Sequence, residues 1–431
     1  MKLKIISLVM AVSTVISVLA SCADKNNKDE SNSQIDVAGD LVIDGEYTII
    51  RSETADTATI RSATLLRSLI KERSGIDVAL TTDYVKNGEE PADNKEIVVG
   101  KTNREIEFNG ENLNEGEYFV GVEGEKLIID AYDSMTLYVA ISQIVDRWMT
   151  LEEGTCMISK DVVSELGAKF ETEKTTIKVM TQNIRYADDG TGKNVKDRAP
   201  RFKQLVEMYQ PDIIGTQETT EIWNKYYRTY FGDKYGMVGC SREGRDASGG
   251  EWGTILYRLD RFELLDSDDF WLTRTPSVVS KVPGSACNRI CTWALLKDKN
   301  TGVTFVMANT HLDYITEEVK QEQYKYLYAG LSDLLAKYPV FLTGDFNADT
   351  NSGTYKTVTK DFHDPYVEAF ENRSTVNHTA DGYGSSNGNG SIIDYCFYND
   401  RSTALWYKIL SEQFGGYISD HFGVISEFII K

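Results

Sequence analysis

Histidine is scarce in this chain, with four in 431 residues, and positive charge is outweighed: 46 Lys and Arg stand against 66 Asp and Glu, a formal balance of −20. Affinity for a nucleic-acid duplex normally rests on Lys and Arg neutralising phosphates, and no stripe of basic residues with interleaved aromatics runs through the sequence. A polyanionic partner is therefore disfavoured, although a local basic patch is compatible with the overall balance. Long apolar runs are nearly absent, and the one over Ile5 to Leu19 is too short to span a bilayer comfortably. Cysteines number six. Cys287 and Cys291 are the only close pair, with no histidine or second pair nearby, which argues against a zinc site. They form either one disulfide or two buried thiols.

What is present begins with a sorting signal. A basic start at Met1-Lys2-Leu3-Lys4, the apolar run and Leu19-Ala20-Ser21-Cys22 look like a bacterial lipoprotein signal over residues 1–22, with Cys22 as the lipidated residue. The expected location is the cell envelope, lipid-anchored to a bacterial membrane on its extracytoplasmic side; an ordinary secretory peptide is the alternative. Residues 23–40 are polar enough to be a solvated tether.

At this length two domains are expected, a small α/β unit over 41–170 and a larger one over 176–431. In the smaller unit, apolar spacing predicts a helix over Thr57 to Arg73 that stops at Ser74-Gly75. Ile97-Val98-Val99-Gly100 is a buried strand, and Tyr118 to Val122 pairs with Lys126 to Ala131 across Glu123-Gly124. Ser134 is suited to cap a helix running through Trp148. Glu96 to Arg104, the hairpin and this helix resemble the accessory domain that precedes the catalytic barrel of bacterial β-hexosaminidases and α-glucuronidases. The unit has no histidine and only scattered acids, so it is a spacer and packing partner or a glycan-positioning module.

The larger unit carries six short polar motifs. They are Gln182-Asn183-Ile184-Arg185, Thr216-Gln217-Glu218, Asn309-Thr310-His311-Leu312-Asp313, Gly344-Asp345-Phe346-Asn347, Ile393-Asp394-Tyr395 and Ser419-Asp420-His421. Each follows or sits in a short apolar run, namely Ile177 to Met180, Ile213-Ile214, Val303 to Ala308, Val340 to Leu342, Ile392-Ile393 and Tyr417-Ile418. Strands that end in carboxylates, amides and imidazoles build a polar site on rigid elements. Asp345 and Asn347 share a face if the chain stays extended there. Phosphate-ester cleavage needs such a set: a metal to neutralise charge, an activated water and donors for the phosphorane. Mg2+ or Mn2+ prefers oxygen ligands and needs few protein carboxylates.

The order and spelling of these motifs, over about Thr176 to Lys431, resemble the endonuclease/exonuclease/phosphatase superfamily. Phe270-Trp271-Leu272 and Arg289-Ile290-Cys291-Thr292-Trp293-Ala294 look like its bacterial secreted branch. The resemblance implies an α/β four-layer sandwich, two packed β-sheets flanked by helices, with the site at one edge. It also implies Glu218 as principal metal ligand with Asn183 and Asp420 close to the ion. Asp345 would orient or deprotonate the attacking water and Asn347 would bond the phosphorane. Asp394 would pair with His421, whose imidazole contacts phosphate, and His311 would stand beside the scissile group. Arg185 and Arg289 are candidate phosphate-binding residues, each with an ordinary ion pair as its alternative. The Gly/Ser/Asn-rich segment Asp381 to Gly390, with Tyr383 and nearby His378, is a lid candidate or a solvated insertion. His363 is left without a role.

The expected function is a surface-anchored, Mg2+-dependent phosphoesterase, a monomer acting on a small or lipid-linked phosphate ester. A secreted nuclease is the alternative, and a non-catalytic glycan-binding surface protein is a second. Two departures from the branch bear on substrate recognition: Asp188 to Arg198 contains no Trp, and Ile392 stands where many members have a basic residue.

Overall fold

Two β-strand–helix–β-strand crossovers dominate the larger part of the chain, and each delivers two of the motifs to one edge. In the first, strand Thr175–Asn183 leads through helix Val195–Tyr209 to the parallel strand Ile213–Thr219. In the second, strand Thr304–His311 leads through helix Glu317–Leu335 to the parallel strand Val340–Asp345. Parallel neighbours joined by a helix must end at the same edge, so Asn183, Glu218, His311 and Asp345 are brought to one side. The computed structural model describes residues 39–86, 95–107, 112–159, 169–172 and 175–430. The expected signal sequence, Cys22 and nearly all of the tether lie outside these residues.

Each crossover belongs to its own sheet. The seven-stranded sheet runs in the order Tyr235–Val238, Trp252–Arg258, Ile213–Thr219, Thr175–Asn183, Gly423–Ile430, Ser402–Leu410 and Glu371–Asn372. The five-stranded sheet runs Phe262–Trp271, Ile290–Asp298, Thr304–His311, Val340–Asp345 and Asp394–Tyr398. Ile177, Val179, Ile213 and Ile255 of one sheet meet Phe305, Met307, Phe341 and Phe397 of the other in one core. On the outer face of the larger sheet, Phe202, Leu205, Trp223 and Tyr227 pack over Met180, Ile214 and Ile425. Tyr324, Leu327 and Leu331 of helix Glu317–Leu335 join the core of the smaller sheet. The expected four-layer sandwich is the observed architecture. Strand Val340–Asp345 is buried at every position because it is covered on both faces.

Two glycines permit close approaches that a side chain would block. A Cβ at Gly215 would lie 2.1 Å from Thr343 Oγ1, across the gap between the sheets, and one at Gly330 would lie 2.4 Å from the Phe270 ring. A polar layer also ties the sheets together beneath the site edge. Gln217 Nε2 donates to Asn309 Oδ1 at 2.7 Å, and Asn309 Nδ2 donates to Thr216 O at 2.9 Å.

Residues 40–430 form one compact unit in which the N-terminal part keeps its own core. Its six-stranded mixed sheet runs Ala79–Thr82, Thr48–Arg51, Glu96–Val99, Lys126–Ala131, Glu117–Glu123 and Lys169–Glu171. Helices Thr57–Ser74 and Ser134–Trp148 pack into that core. The expected hairpin and the stop at Gly75, in the left-handed conformation, are present. The second helix is capped differently from the sequence expectation: the Asp133 side chain accepts from Thr136 N, and Ser134 is the first helical residue. An aspartate one position earlier reaches the N3 amide, which leaves the serine no capping role.

Candidate active site

The remaining two motifs reach the same edge by the opposite route. The apolar pairs Ile392-Ile393 and Tyr417-Ile418 predict strands that end at Asp394 and before His421. Instead Asp394 opens the strand Asp394–Tyr398, and Ser419-Asp420-His421 precedes the strand Gly423–Ile430. Both strands are antiparallel to their motif-bearing neighbours, so their beginnings lie where those neighbours end. The register places Asp345 directly opposite Asp394.

Four carboxylates and two imidazoles therefore converge. Asn183 Nδ2 bridges Glu218 Oε1 at 3.1 Å and Asp345 Oδ2 at 2.9 Å. Its Oδ1 accepts from Arg185 N at 3.0 Å, so the side chain is held in place to orient the two carboxylates. Glu218 is held at a bulge, with φ of 58°, and its Oε2 accepts from Tyr186 N at 3.0 Å. Asn347 likewise adopts a left-handed φ of 48°, contrary to the expected extended backbone. The cause is a tight turn in which Asn347 N donates to Asp345 Oδ1 at 2.9 Å. That turn aims Asn347 Nδ2 at His311 Nε2, 3.1 Å away.

The electrostatics differ from group to group. Burial, reinforced by Asp394, pushes the Asp345 carboxyl up to about 7. Burial disfavours a charged His421, but Asp394 Oδ2 at 2.9 Å from Nδ1 outweighs it and raises the imidazole to about 10. His311 goes the other way: burial, then Arg289 and Arg242, hold it well below its ordinary value, so it is neutral.

The backbone of the first motif is fixed by a buried cation. Arg198, 0 % exposed, donates to the carbonyls of Lys193, Arg185 and Ala187 at 2.7, 2.9 and 2.7 Å. The Arg185 side chain grips Asp189 through two bonds at 3.0 and 3.3 Å. The same guanidinium stands 3.6 Å from Asp420 Oδ2 and 4.0 Å from Glu218 Oε2. Tyr383 OH closes the group by donating to Asp189 Oδ2 at 2.9 Å.

Asp345, Asp394 and His421 bring ligand atoms within 4.8 Å of one another. The His421 nitrogen in that set is committed to Asp394, however, and carries a proton. Glu218 and Asp420 fit a hard divalent cation better: two carboxylates, already drawn to one guanidinium, offer oxygen donors to a shared positive centre. Asp345 lies beside Glu218 through Asn183. Of the two alternatives for Cys287 and Cys291, the thiols are observed: both are free, as are the other described cysteines. His363, paired with Glu368 at 3.0 Å and with Asp400, takes no part in the site.

The profile of the Endonuclease/Exonuclease/phosphatase family matches residues 180–421, a span that begins before Asn183 and ends at His421. The chain belongs to this family. A family protein from Bacteroides thetaiotaomicron is 30% identical, covering 60% of this chain and 99% of that one, with a TM-score of 0.57. One from Bacteroides vulgatus is 28% identical over 60% and 100% of the two chains, also at 0.57. The mannosyl-6-phosphatase of Bacteroides thetaiotaomicron is 29% identical over 58% and 99%, at 0.55. No curated protein matches significantly. Members of this family are hydrolases of phosphoester bonds, and they generally use a divalent metal.

Several site residues escaped the sequence reading. Asp189, Arg242, Glu251 and Trp252 lie in or beside polar loops with no motif of their own, and only folding sets Arg242, Glu251 and Trp252 beside Glu218. Asp189, four residues after Arg185, offered the one local signal.

Proposed function

We propose that the protein is a Mg2+-dependent phosphatase of small phosphate esters, with a sugar phosphate as the first substrate class to test. The observation that carries this reading is the convergence of Asn183, Glu218, Asp345, Asn347, His311, Asp394 and His421 on one edge of the sandwich. Similarity to a mannosyl-6-phosphatase supports the sugar-phosphate class. Glu218 and Asp420 would hold the ion, which when bound supplies charge neutralisation to the phosphoryl oxygens and the bridging oxygen.

Asp345, titrating near neutrality, accepts the proton of the attacking water while Asn347 N and Asn183 hold its two oxygens in place. The imidazolium of His421, kept charged by Asp394, donates to a non-bridging phosphate oxygen. Asn347 and His311 face the negative charge that develops on the phosphoryl oxygens. The P–O bond to the alcohol breaks as the water oxygen adds, and the departing alkoxide takes a proton from solvent water. Arg185 binds the substrate once its carboxylate partners are engaged elsewhere. Attachment to the outer face of a membrane through Cys22 belongs to the same proposal, on the strength of the signal-like first 22 residues.

The test is hydrolysis of mannose 6-phosphate, glucose 6-phosphate, p-nitrophenyl phosphate, bis-p-nitrophenyl phosphate and plasmid DNA, with Mg2+ or EDTA. Release of phosphate from the monoesters, abolished by EDTA and by Asp345→Asn, is the expected result. Cleavage of plasmid at a comparable rate would replace the phosphatase with a nuclease.

A further inference from the structure

Beside Glu218 lies a cleft lined by Arg242, Glu251, Trp252, Arg289 and His311. Arg289 Nε, His311 Nδ1 and Trp252 Nε1 are buried on its wall without a hydrogen-bond partner. Arg289 is the unusual member. It is only 4 % exposed, and among the described residues no hydrogen bond reaches its guanidinium. The one carboxylate at ion-pair distance is Asp313, whose Oδ2 lies 3.9 Å from Nε. That oxygen is already taken by Ser285 Oγ at 2.7 Å and Ala286 N at 3.0 Å. A buried cation left in this state opposes folding unless something else pairs with it.

The other groups of the cleft are balanced. Arg242 is neutralised by Glu251, 2.7 Å from Nη1. His311 is uncharged, and Trp252 adds no charge. Glu218, the other carboxylate on this lining, is assigned to the ion, so Arg289 is the cation of the cleft that no acid hydrogen-bonds, with Asp313 3.9 Å from its Nε.

The geometry points to Arg289 as the residue that selects a phosphate monoester over a diester, by pairing with the extra negative charge that only the monoester carries. This rests on the phosphoesterase reading of the same site. A monoester has close to two negative charges near neutral pH and a diester has one. The planar fork of a guanidinium suits two unesterified oxygens, and a diester removes one of them. Arg242, fixed by Glu251, forms the wall that keeps a second ester arm out.

The experiment compares the protein with Arg289→Met and Arg289→Lys on two substrates sharing a leaving group, p-nitrophenyl phosphate and methyl p-nitrophenyl phosphate. Calorimetry with inorganic phosphate and with dimethyl phosphate runs alongside. For Arg289→Met, kcat/KM on the monoester should fall by about 10- to 100-fold, the range for a charge-assisted hydrogen bond, while the diester changes by less than about threefold. Arg289→Lys should recover part of the loss. The methionine variant should still unfold cooperatively, which shows that it folds. Equal losses on both substrates would overturn the selection role. A parent that binds inorganic phosphate more tightly than dimethyl phosphate, through Arg289, yet hydrolyses nothing would sink the phosphatase and leave this inference standing. Undiminished phosphate binding by Arg289→Met would sink the inference alone.

Discussion

At the residue scale, the motif side chains are held in place by neighbouring partners. Glu218 is restrained by Asn183 and Tyr186 N while keeping its carboxylate beside the guanidinium of Arg185. Glu218→Gln should therefore preserve the fold and lower Mg2+-dependent turnover by roughly 100-fold or more. Rate assays over a Mg2+ titration, with circular dichroism as the folding control, check this. The Asp394–His421 pair makes a separate prediction about stability. The folded imidazole titrates at about 10, above its ordinary value of 6.5. The pair's contribution is thus complete below pH 6.5 and is lost as pH rises through about 10. Asp394→Asn should remove that decline, so urea unfolding of variant and parent should differ most near pH 6 and converge toward pH 10.

At the scale of elements, the site is a consequence of strand direction. Two parallel pairs end at the edge and two antiparallel strands begin there, which is why Asp345 and Asp394 face each other. The sequence reading placed the first four motifs on the right strands. It misjudged the last two because an apolar pair before a polar residue reads as a strand end whether or not pairing continues past it. Asp394 and His421 were still named, since motif chemistry does not depend on which end of the strand carries it. Helix Glu317–Leu335 offers a test in which two effects oppose each other. Gly330→Ala gains helix propensity, about 1 kcal/mol, but its methyl would press into the Phe270 ring. Overpacking of about 1–3 kcal/mol should win, and thermal unfolding should show a lower Tm. An unchanged or higher Tm would mean that the ring yields.

At the scale of the whole molecule, the N-terminal part meets the larger one around Phe370. Arg61 Nη1 donates to Glu368 O at 2.7 Å and stacks over Phe370 at 4.9 Å, while Tyr138 meets the same ring edge-on at 4.6 Å. Phe370→Ala should lower the Tm by loosening this junction while leaving the metal-dependent rate within about twofold, since loss of one aromatic pair costs about 0.5–1.5 kcal/mol beyond its area. A changed rate would give the N-terminal part a role in catalysis. The proposed anchor is tested at this scale as well: Cys22→Ser should move the protein from the membrane fraction to the soluble one. Retention in the membrane fraction would rule out Cys22 as the attachment point.

The sequence by itself determined the chemistry and the fold class. Six motifs in fixed order named the carboxylates, amides and histidines; their alternation with apolar runs pointed to an α/β scaffold, and their resemblance to a known superfamily implied the sandwich. Those features are local, and a residue's identity survives any arrangement of the chain. Only the tertiary structure decided the protonation bias of Asp345, His311 and His421, because burial and proximity to opposite or like charges exist only after the sheets meet. It also decided which arginine is hydrogen-bonded to an acid and which is not. Arg185, four residues from Asp189, closes on it locally, whereas Arg289 is buried by long-range strand pairing beside a carboxylate that other groups already occupy. The physical reason is that pairing of distant charges follows from non-local packing, which no spacing in the sequence encodes.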